Sequence, residues 1–564
     1  MRKRLYLIKI FLFVIVLYSH QFLYSQISTG RSDSYRSGIV VSANEIASEV
    51  GVKIMQNGGN AIDAAVGTAF ALAVVYPQAG NIGGGGFLVA RLSDGREVSV
   101  DFRETAPLKS FRDMYLDSLG NVIPDLSTDG HLASGVPGSV AGLLYILDKY
   151  GTKTRAEILS YAINLAENGF HINGELANAL NAYQSDFTKY PGSVKIFGKK
   201  FSEGDVLVQT DLANTLKAVS EKGRDGFYKG WVADKIIFEM KRGGGIISYD
   251  DLSNYKCLDR NVIRGTYRGY DLITMGPPSS GGICLLYLLN IVEKFDIRKL
   301  GFTGERYVNL LAEAMKLVYA DRSEFMGDMD FFKVPVTALI SKEYASERMK
   351  YFQFGVSRNA SDVKPGNIFH ESDQTTHISA ADSKGNLVSL TTTLNDVFGS
   401  RVVVEGAGFL LNNEMDDFSV KPGVPNIFGL VGSSANAIEP GKRMLSSMTP
   451  VVITKDGKPF LVIGSPGGGK IITSVLQSIL NMIDFEMPLD IAVDAPRIHH
   501  QWLPDVLQIE RERITKKTIK KLTGIGYTVK QVHDFGRVEA IIFDNDGNMT
   551  GHSDRRGSGK AIGF

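Results

Sequence analysis

The chain has 564 residues, 44% hydrophobic and 22% charged, the proportions of a globular protein with a sizeable core. A formal net charge of +1 gives no electrostatic reason to expect nucleic acid or an anionic membrane as partner, so small-molecule chemistry is the default. Length alone permits several domains. The two cysteines, Cys257 and Cys284, allow at most one disulfide, and both are expected to be free and buried.

The N-terminus reads as a targeting segment. Arg2, Lys3, Arg4 and Lys9 precede the apolar run Ile10 to Tyr18, which is too short to span a bilayer comfortably and has the character of a signal-peptide core. Cleavage is expected after Ser25, although Leu23 is larger than the residue such sites prefer; an uncleaved anchor is the alternative. The mature protein is then exported, to a periplasm or the medium. No later stretch is long and apolar enough to be a membrane span.

Downstream, Asn44 caps a helix whose apolar residues recur through Met55. Gly58-Gly59 stops it, and Asn60 caps a second, alanine-rich helix through Val75. A strand over Gly86 to Ala90 turns at Ser93-Asp94-Gly95 and returns through Val98 to Arg103, which ends the second strand. Residues 140 to 350 are mostly helical in period and read as scaffold. Beyond Thr375 the chain is strand-rich, with hairpins at Lys384-Gly385, Asp456-Gly457 and Asp546-Gly547, and one helix over Ile471 to Met482. Antiparallel strands with helices packed outside suggest a layered α/β (α+β) architecture.

Two threonine clusters, Thr375-Thr376 and Thr391-Thr392-Thr393, flank the hairpin loop Asp382-Ser383-Lys384-Gly385-Asn386. A three-residue loop pairs Asp382 with Asn386. Stepping outward, Ile378 then faces Leu390 and Thr375 lands opposite Thr393, at Cβ separations of roughly 4.5 to 5.5 Å. A two-residue loop would leave Thr393 diagonal. A threonine hydroxyl needs a base beside it to act as nucleophile, and an amine on the same residue can serve. Thr375 would acquire one if its hydroxyl attacked the Gln374 carbonyl and water cleaved the ester. The freed amine, with an ordinary pKa of about 7.7 to 8.0, could accept and return a proton near neutrality. On the hairpin alone, β-branched residues favouring strands explain the threonines equally well.

Gly464-Ser465-Pro466-Gly467-Gly468-Gly469-Lys470 follows an apolar strand and precedes a helix, so backbone amides and a helix N-terminus converge there. It falls short of a phosphate loop because Ile471 stands where Ser or Thr would hold magnesium. The readings left are an oxyanion hole or a tight turn that packs the helix on its sheet.

Gln374-Thr375-Thr376-His377, Thr393-Leu394-Asn395, Asn412 to Phe418, Ser446-Ser447-Met448 and Gly464 to Gly468, with blocks from Tyr76 to Pro107 and Pro277 to Gly282, together resemble the γ-glutamyltransferase family over nearly the whole mature chain. The resemblance implies the N-terminal-nucleophile hydrolase fold, a four-layer αββα sandwich. It also implies self-cleavage into a large subunit, Gln26 to Gln374, and a small catalytic one, Thr375 to Phe564, that form one structural unit. It casts Thr375 as nucleophile, Thr393 as its orienting partner, and Gly467 and Gly468 as oxyanion donors. Arg103, Ser446 and Ser447 would hold the substrate α-carboxylate; Asn395, Glu414 and Asp417 would hold its ammonium. Substrates would be glutathione and related γ-glutamyl compounds, with water, amino acids or dipeptides as acceptors. Neither metal nor other cofactor is expected.

Two departures stand out. Position 414 is Glu where several bacterial relatives carry Gln, adding negative charge around the ammonium. Phe428, in a segment resembling a lid over Lys421 to Gly429, replaces a common tyrosine and is expected to close less firmly without the hydroxyl, which bears on the balance of hydrolysis and transfer. His377, on the face expected for Thr375, and the pair His499-His500 are read as having no catalytic part. Gly83 to Gly86 lacks a dinucleotide-loop spacing and is read as backbone passing close to the active centre. The alternatives are a related acylase acting on glutaryl β-lactams or poly-γ-glutamate, and a non-catalytic periplasmic binding protein.

Overall fold

The computed structural model describes residues 33–366, 376–432 and 434–564. The signal segment with its cleavage site and the Gln374–Thr375 junction lie outside the described residues.

Two seven-stranded sheets, antiparallel throughout, form the centre. The first runs in space Lys560–Gly563, Gly38–Ser42, Thr376–Asp382, Leu387–Thr393, Gly85–Arg91, Glu97–Asp101, Leu258–Arg260. The second runs Ser34–Tyr35, Met549–Ser553, Glu539–Phe543, Lys458–Gly464, Val451–Lys455, Tyr270–Thr274, Ile263–Tyr267. Each sheet takes strands from both sides of position 375, so neither piece of the chain could complete a sheet alone. The three stretches read as hairpins after Thr375 are hairpins.

Side-chain alternation sorts the layers. Ile39, Val41, Phe87 and Val89 of the first sheet pack against Ile273, Val452, Val462 and Ile541 of the second. The opposite face of the first sheet, with Val40, Leu88 and Ile378, buries against helices that include Ala61–Val75. That of the second, with Ile453 and Ile463, buries against Gly281–Val292, Glu305–Phe325 and Lys470–Ile483. The result is helix, sheet, sheet, helix.

The predicted caps are present. The Asn44 side chain accepts from the Ile46 amide, and Asn60 with Asp63 forms a reciprocal box at the start of Ala61–Val75. All fifteen residues of that helix are buried, which is why its sequence is apolar on every side. Asp382 joins it to the hairpin: one carboxylate oxygen accepts from the Lys384 and Asn386 amides, and the other accepts from the Ala61 amide at 2.9 Å.

The hairpin register is the predicted one. Asp382 donates its amide to the Asn386 carbonyl, Gly385 takes φ 88°, Ile378 faces Leu390 and Thr376 faces Thr392. Thr375 itself lies outside the described residues.

Three expectations need correction. The strand expected to end at Arg103 ends at Asp101, with the Phe102 amide and carbonyl still exchanging bonds with Gly86. Arg103 therefore sits just past the ladder, free to turn inward. Cys257 is only partly buried, whereas Cys284 is fully buried; the two are not joined in a disulfide. The middle of the chain is not helical throughout, since residues 258–274 supply edge strands to both sheets.

Candidate active site

The strand Leu387–Thr393 delivers Thr393 to one end of a cleft of about 340 Å³ whose lining includes Thr376, Thr393, Asn395 and Gly467. Thr393 Oγ1 accepts from the Asn395 amide at 2.7 Å. Asn395 adopts φ 76°, a left-handed conformation that asparagine tolerates better than most residues. Its Nδ2 donates to the Asn413 carbonyl, while Oδ1 is buried with no hydrogen-bond partner among the described residues. A buried acceptor left open at a cleft wall can receive an N–H from a ligand.

Asn81, which sequence reasoning missed, fixes this strand end. Its Nδ2 donates to the Thr393 carbonyl at 2.7 Å, and its Oδ1 accepts from the Gly84 amide at 2.9 Å and the Ser139 hydroxyl at 2.7 Å. The approach is close because position 84 is glycine: a Cβ there would stand 1.8 Å from the Thr393 carbonyl oxygen. The glycine run thus does pass close to this strand end, as expected. The signal available in sequence was an asparagine two residues before that run.

Across the cleft, Gly467 and Gly468 adopt φ 131° and 65° at the turn before Lys470–Ile483. Their carbonyls accept from Lys470 and Ile471, and among the described residues neither amide donates to a protein group. A Cβ on Gly467 would lie 3.1 Å from the Gly536 Cα. Two unspent amides beside a helix N-terminus can stabilise an anion.

Arg103 is completely buried. It donates to Glu414 through Nη1, to Asp417 (2.5 Å) and the Leu445 carbonyl through Nη2, and to the Met444 carbonyl through Nε. Glu104 lies 3.7 Å from Nη1. Residues assigned to opposite ends of a substrate are thus bonded to each other here. Burial pulls the guanidinium down, but Glu414, then Asp417 and Glu104, outweigh it and hold the group above its ordinary value. Burial lifts Glu104 to about 7 and Glu414 well above the usual range, each only partly offset by Arg103. Among the described residues Arg103 faces all three carboxylates, and the charges of Glu104 and Asp417 add to the push of burial on Glu414.

Ser446 and Ser447 follow directly on the carbonyls that Arg103 holds, and both are fully buried. The Ser446 amide donates to the Pro278 carbonyl and its own carbonyl accepts from the Ser280 amide. Ser447 Oγ accepts from Arg322 Nη2, whose Nε reaches Ser280 at 3.1 Å. Arg322, on the helix Glu305–Phe325, is the second residue that periodicity concealed, because its neighbours are those of a core helix.

The loop read as a lid is held mainly through its backbone. The Ile427 amide donates to Asp416 at 3.0 Å, Gln501 donates to the Phe428 carbonyl at 3.1 Å, and Lys421 reaches the Gly120 carbonyl at 2.6 Å. The Phe428 ring packs on the core of the second sheet. None of these bonds uses a hydroxyl at position 428.

His377 lies between the sheets, bonded to Thr391 and Ser379, and burial holds it at about 3, so it stays neutral and serves packing. His499 is likewise pulled to about 3 by burial and is bonded to Thr473 and Gln501; His500 bonds Asp505. The two histidines do not converge on the cleft lining.

This architecture is that of the N-terminal-nucleophile hydrolases: it superposes on a cephalosporin acylase from Bacillus halodurans with a TM-score of 0.85 at 27% identity, over 95% of this chain and 97% of that one. The chain belongs to the gamma-glutamyltranspeptidase family, which it matches over residues 47–564. It is 47% identical to the glutathione hydrolase proenzyme of Escherichia coli (strain K12) across 92% of this chain and 90% of that protein. A chain of the Helicobacter pylori gamma-glutamyltranspeptidase structure matches at 47% identity and a TM-score of 0.57, covering 60% of this chain and 97% of that one.

Proposed function

We propose that the protein is a self-processing γ-glutamyltransferase that cleaves the γ-glutamyl amide of glutathione and related compounds and passes the acyl group to water or an amine. Family membership and the cleft in which Thr393, Asn395 and Gly467 meet at the hairpin end support this reading. The Thr375 hydroxyl attacks the Gln374 carbonyl, the peptide bond shifts to an ester, and water releases a large subunit ending at Gln374 and a small one beginning at Thr375. In turnover the freed α-amine takes the Thr375 Oγ proton as Oγ attacks the γ-carbonyl, and Thr393 steadies that hydroxyl. Gly467 and Gly468 amides receive the oxyanion; its collapse expels the leaving amine, which takes the proton. Water or an acceptor amine then resolves the ester.

The observation that carries the substrate choice is the buried cluster of Arg103, Glu414 and Asp417. A free α-amino acid bears both charges of that cluster. Its carboxylate can take the place of Glu414 and Asp417 on Arg103, with Ser446 and Ser447, while its ammonium takes over Glu414, Asp417 and the open Asn395 Oδ1. Burial is tolerable because each internal ion pair is exchanged for an equivalent one. A glutaryl acyl group lacks the ammonium and would leave those carboxylates unpaired, which disfavours the acylase alternative.

The segment before residue 26 is read as a signal peptide, giving an exported protein; no helix among the described residues is long and apolar enough to cross a membrane. Intact mass of the purified protein tests the processing: a C-terminal fragment of 190 residues, 564 − 375 + 1, is expected, and Thr375→Ala is expected to leave the chain whole. An active wild-type enzyme that remains uncut, or one that prefers a glutaryl amide to γ-glutamyl-p-nitroanilide, would overturn the proposal.

A further inference from the structure

The same cleft is lined by residues that have no part in holding the acyl group. Tyr76, Glu175, Asp534, Gly536, Arg537 and Arg556 line it. The two arginines there differ in what they have left to offer. Arg556 spends its guanidinium on Glu510, Asp554 and the Ala495 carbonyl. Arg537 donates through Nη1 alone, to the Tyr76 hydroxyl at 2.6 Å and to Glu175. Among the described residues its Nε and Nη2 donate to nothing, and a third of its side chain remains open to solvent.

Its position is fixed relative to the chemistry. The Arg537 amide donates to Ser465 Oγ at 3.0 Å, and Gly536, its neighbour, abuts Gly467. Arg537 is therefore tied to the glycine turn through its own amide and through Gly536, and it lines the cleft together with Gly467, Thr393 and Asn395. Glu175 is held in turn by the Ser558 amide at 3.0 Å, so it orients the guanidinium fork.

We infer that Arg537 reads the terminal carboxylate of the group that enters or leaves opposite the γ-glutamyl moiety: the carboxylate of an amino-acid or short-peptide acceptor, and equally that of the peptide released from the donor. A guanidinium with one arm anchored and the other free suits a carboxylate. This deepens the acyl-transfer function proposed above and rests on it. In the transfer step the acceptor's neutral amine forms the new amide bond as the ester bond to Thr375 Oγ breaks, and the amine's proton passes to that oxygen. Arg537 contacts only the far end of the acceptor and sets which amines are presented.

The test compares glycylglycine with glycylglycinamide as acceptors, with γ-glutamyl-p-nitroanilide as donor, for the parent enzyme, Arg537→Gln and Arg537→Lys. The parent is expected to favour glycylglycine. In Arg537→Gln, kcat/KM for glycylglycine should fall about tenfold or more, the worth of one charge-assisted hydrogen bond. Glycylglycinamide should change less than about twofold, so the preference collapses; Arg537→Lys should restore part of it. Equal losses for both acceptors, or a preference that survives Arg537→Gln, would refute the assignment. Should Arg537→Gln fail to mature, the parent decides alone: equal kcat/KM for the two acceptors overturns the inference. A parent that releases no p-nitroaniline at all would instead overturn the acyl-transfer function itself.

Discussion

Replacing Asn81 by alanine isolates the support beneath Thr393. Asn81 is 5% exposed and serves three main partners: the Thr393 carbonyl, the Gly84 amide and the Ser139 hydroxyl. Alanine would remove all three hydrogen bonds from a buried site. Each buried bond lost costs about 1 kcal/mol or more, so the expected loss is about 3 kcal/mol. Unfolding entropy of about 2.1 cal/mol/K per residue, over a chain of this length, converts 1 kcal/mol into about 1 °C. The melting temperature of an uncut Thr375→Ala background should therefore fall by about 3 °C when Asn81→Ala is added. In the otherwise native chain, the 190-residue fragment should appear more slowly, because the strand end bearing Thr393 loses its anchor. Measuring both by differential scanning fluorimetry and intact mass separates support from bystander. A melting shift under about 1 °C with an unchanged processing rate would refute the reasoning.

Two further outcomes follow from the buried carboxylates and the loop. Burial raises Glu104 from 4.5 to about 7, so between those pH values the folded chain keeps a proton that the unfolded chain has lost. Stability should then fall as pH rises through that window. In the Thr375→Ala background, Glu104→Gln should flatten this dependence, and melting curves at pH 4.5 and 8 that differ equally with and without the substitution would count against it. Asp416 clasps the Ile427 amide and the Ser127 hydroxyl, so Asp416→Ala should loosen the loop over 421–430. Faster proteolytic nicking there, with a severalfold shift from transfer toward hydrolysis, is expected; nicking at the wild-type rate would argue that Lys421 and Gln501 suffice.

Local grammar carried much of this fold. Asn44 and Asn60 announced their helices, and Asp382 with Gly385 set a three-residue turn whose register the strands kept. Those features depend on neighbours within a few residues, where backbone geometry and short-range hydrogen bonds dominate. The Arg103 cluster was legible only as separate family motifs. What the motifs did not disclose is that its charges pair with one another before any ligand arrives, because that depends on burial and on residues more than 300 positions apart.

Asn81, Arg322 and Arg537 were hidden for a related reason: each is an ordinary residue in its own segment and becomes specific only against a distant carbonyl, hydroxyl or carboxylate. The sequence by itself determined the two capped N-terminal helices, the hairpin register and the family motifs, since all are written in local cap and turn chemistry and in blocks of adjacent residues. Only the tertiary structure decided which side chains share a buried site and which donors are left unspent, because hydrogen-bond and charge satisfaction is a property of the packed chain as a whole.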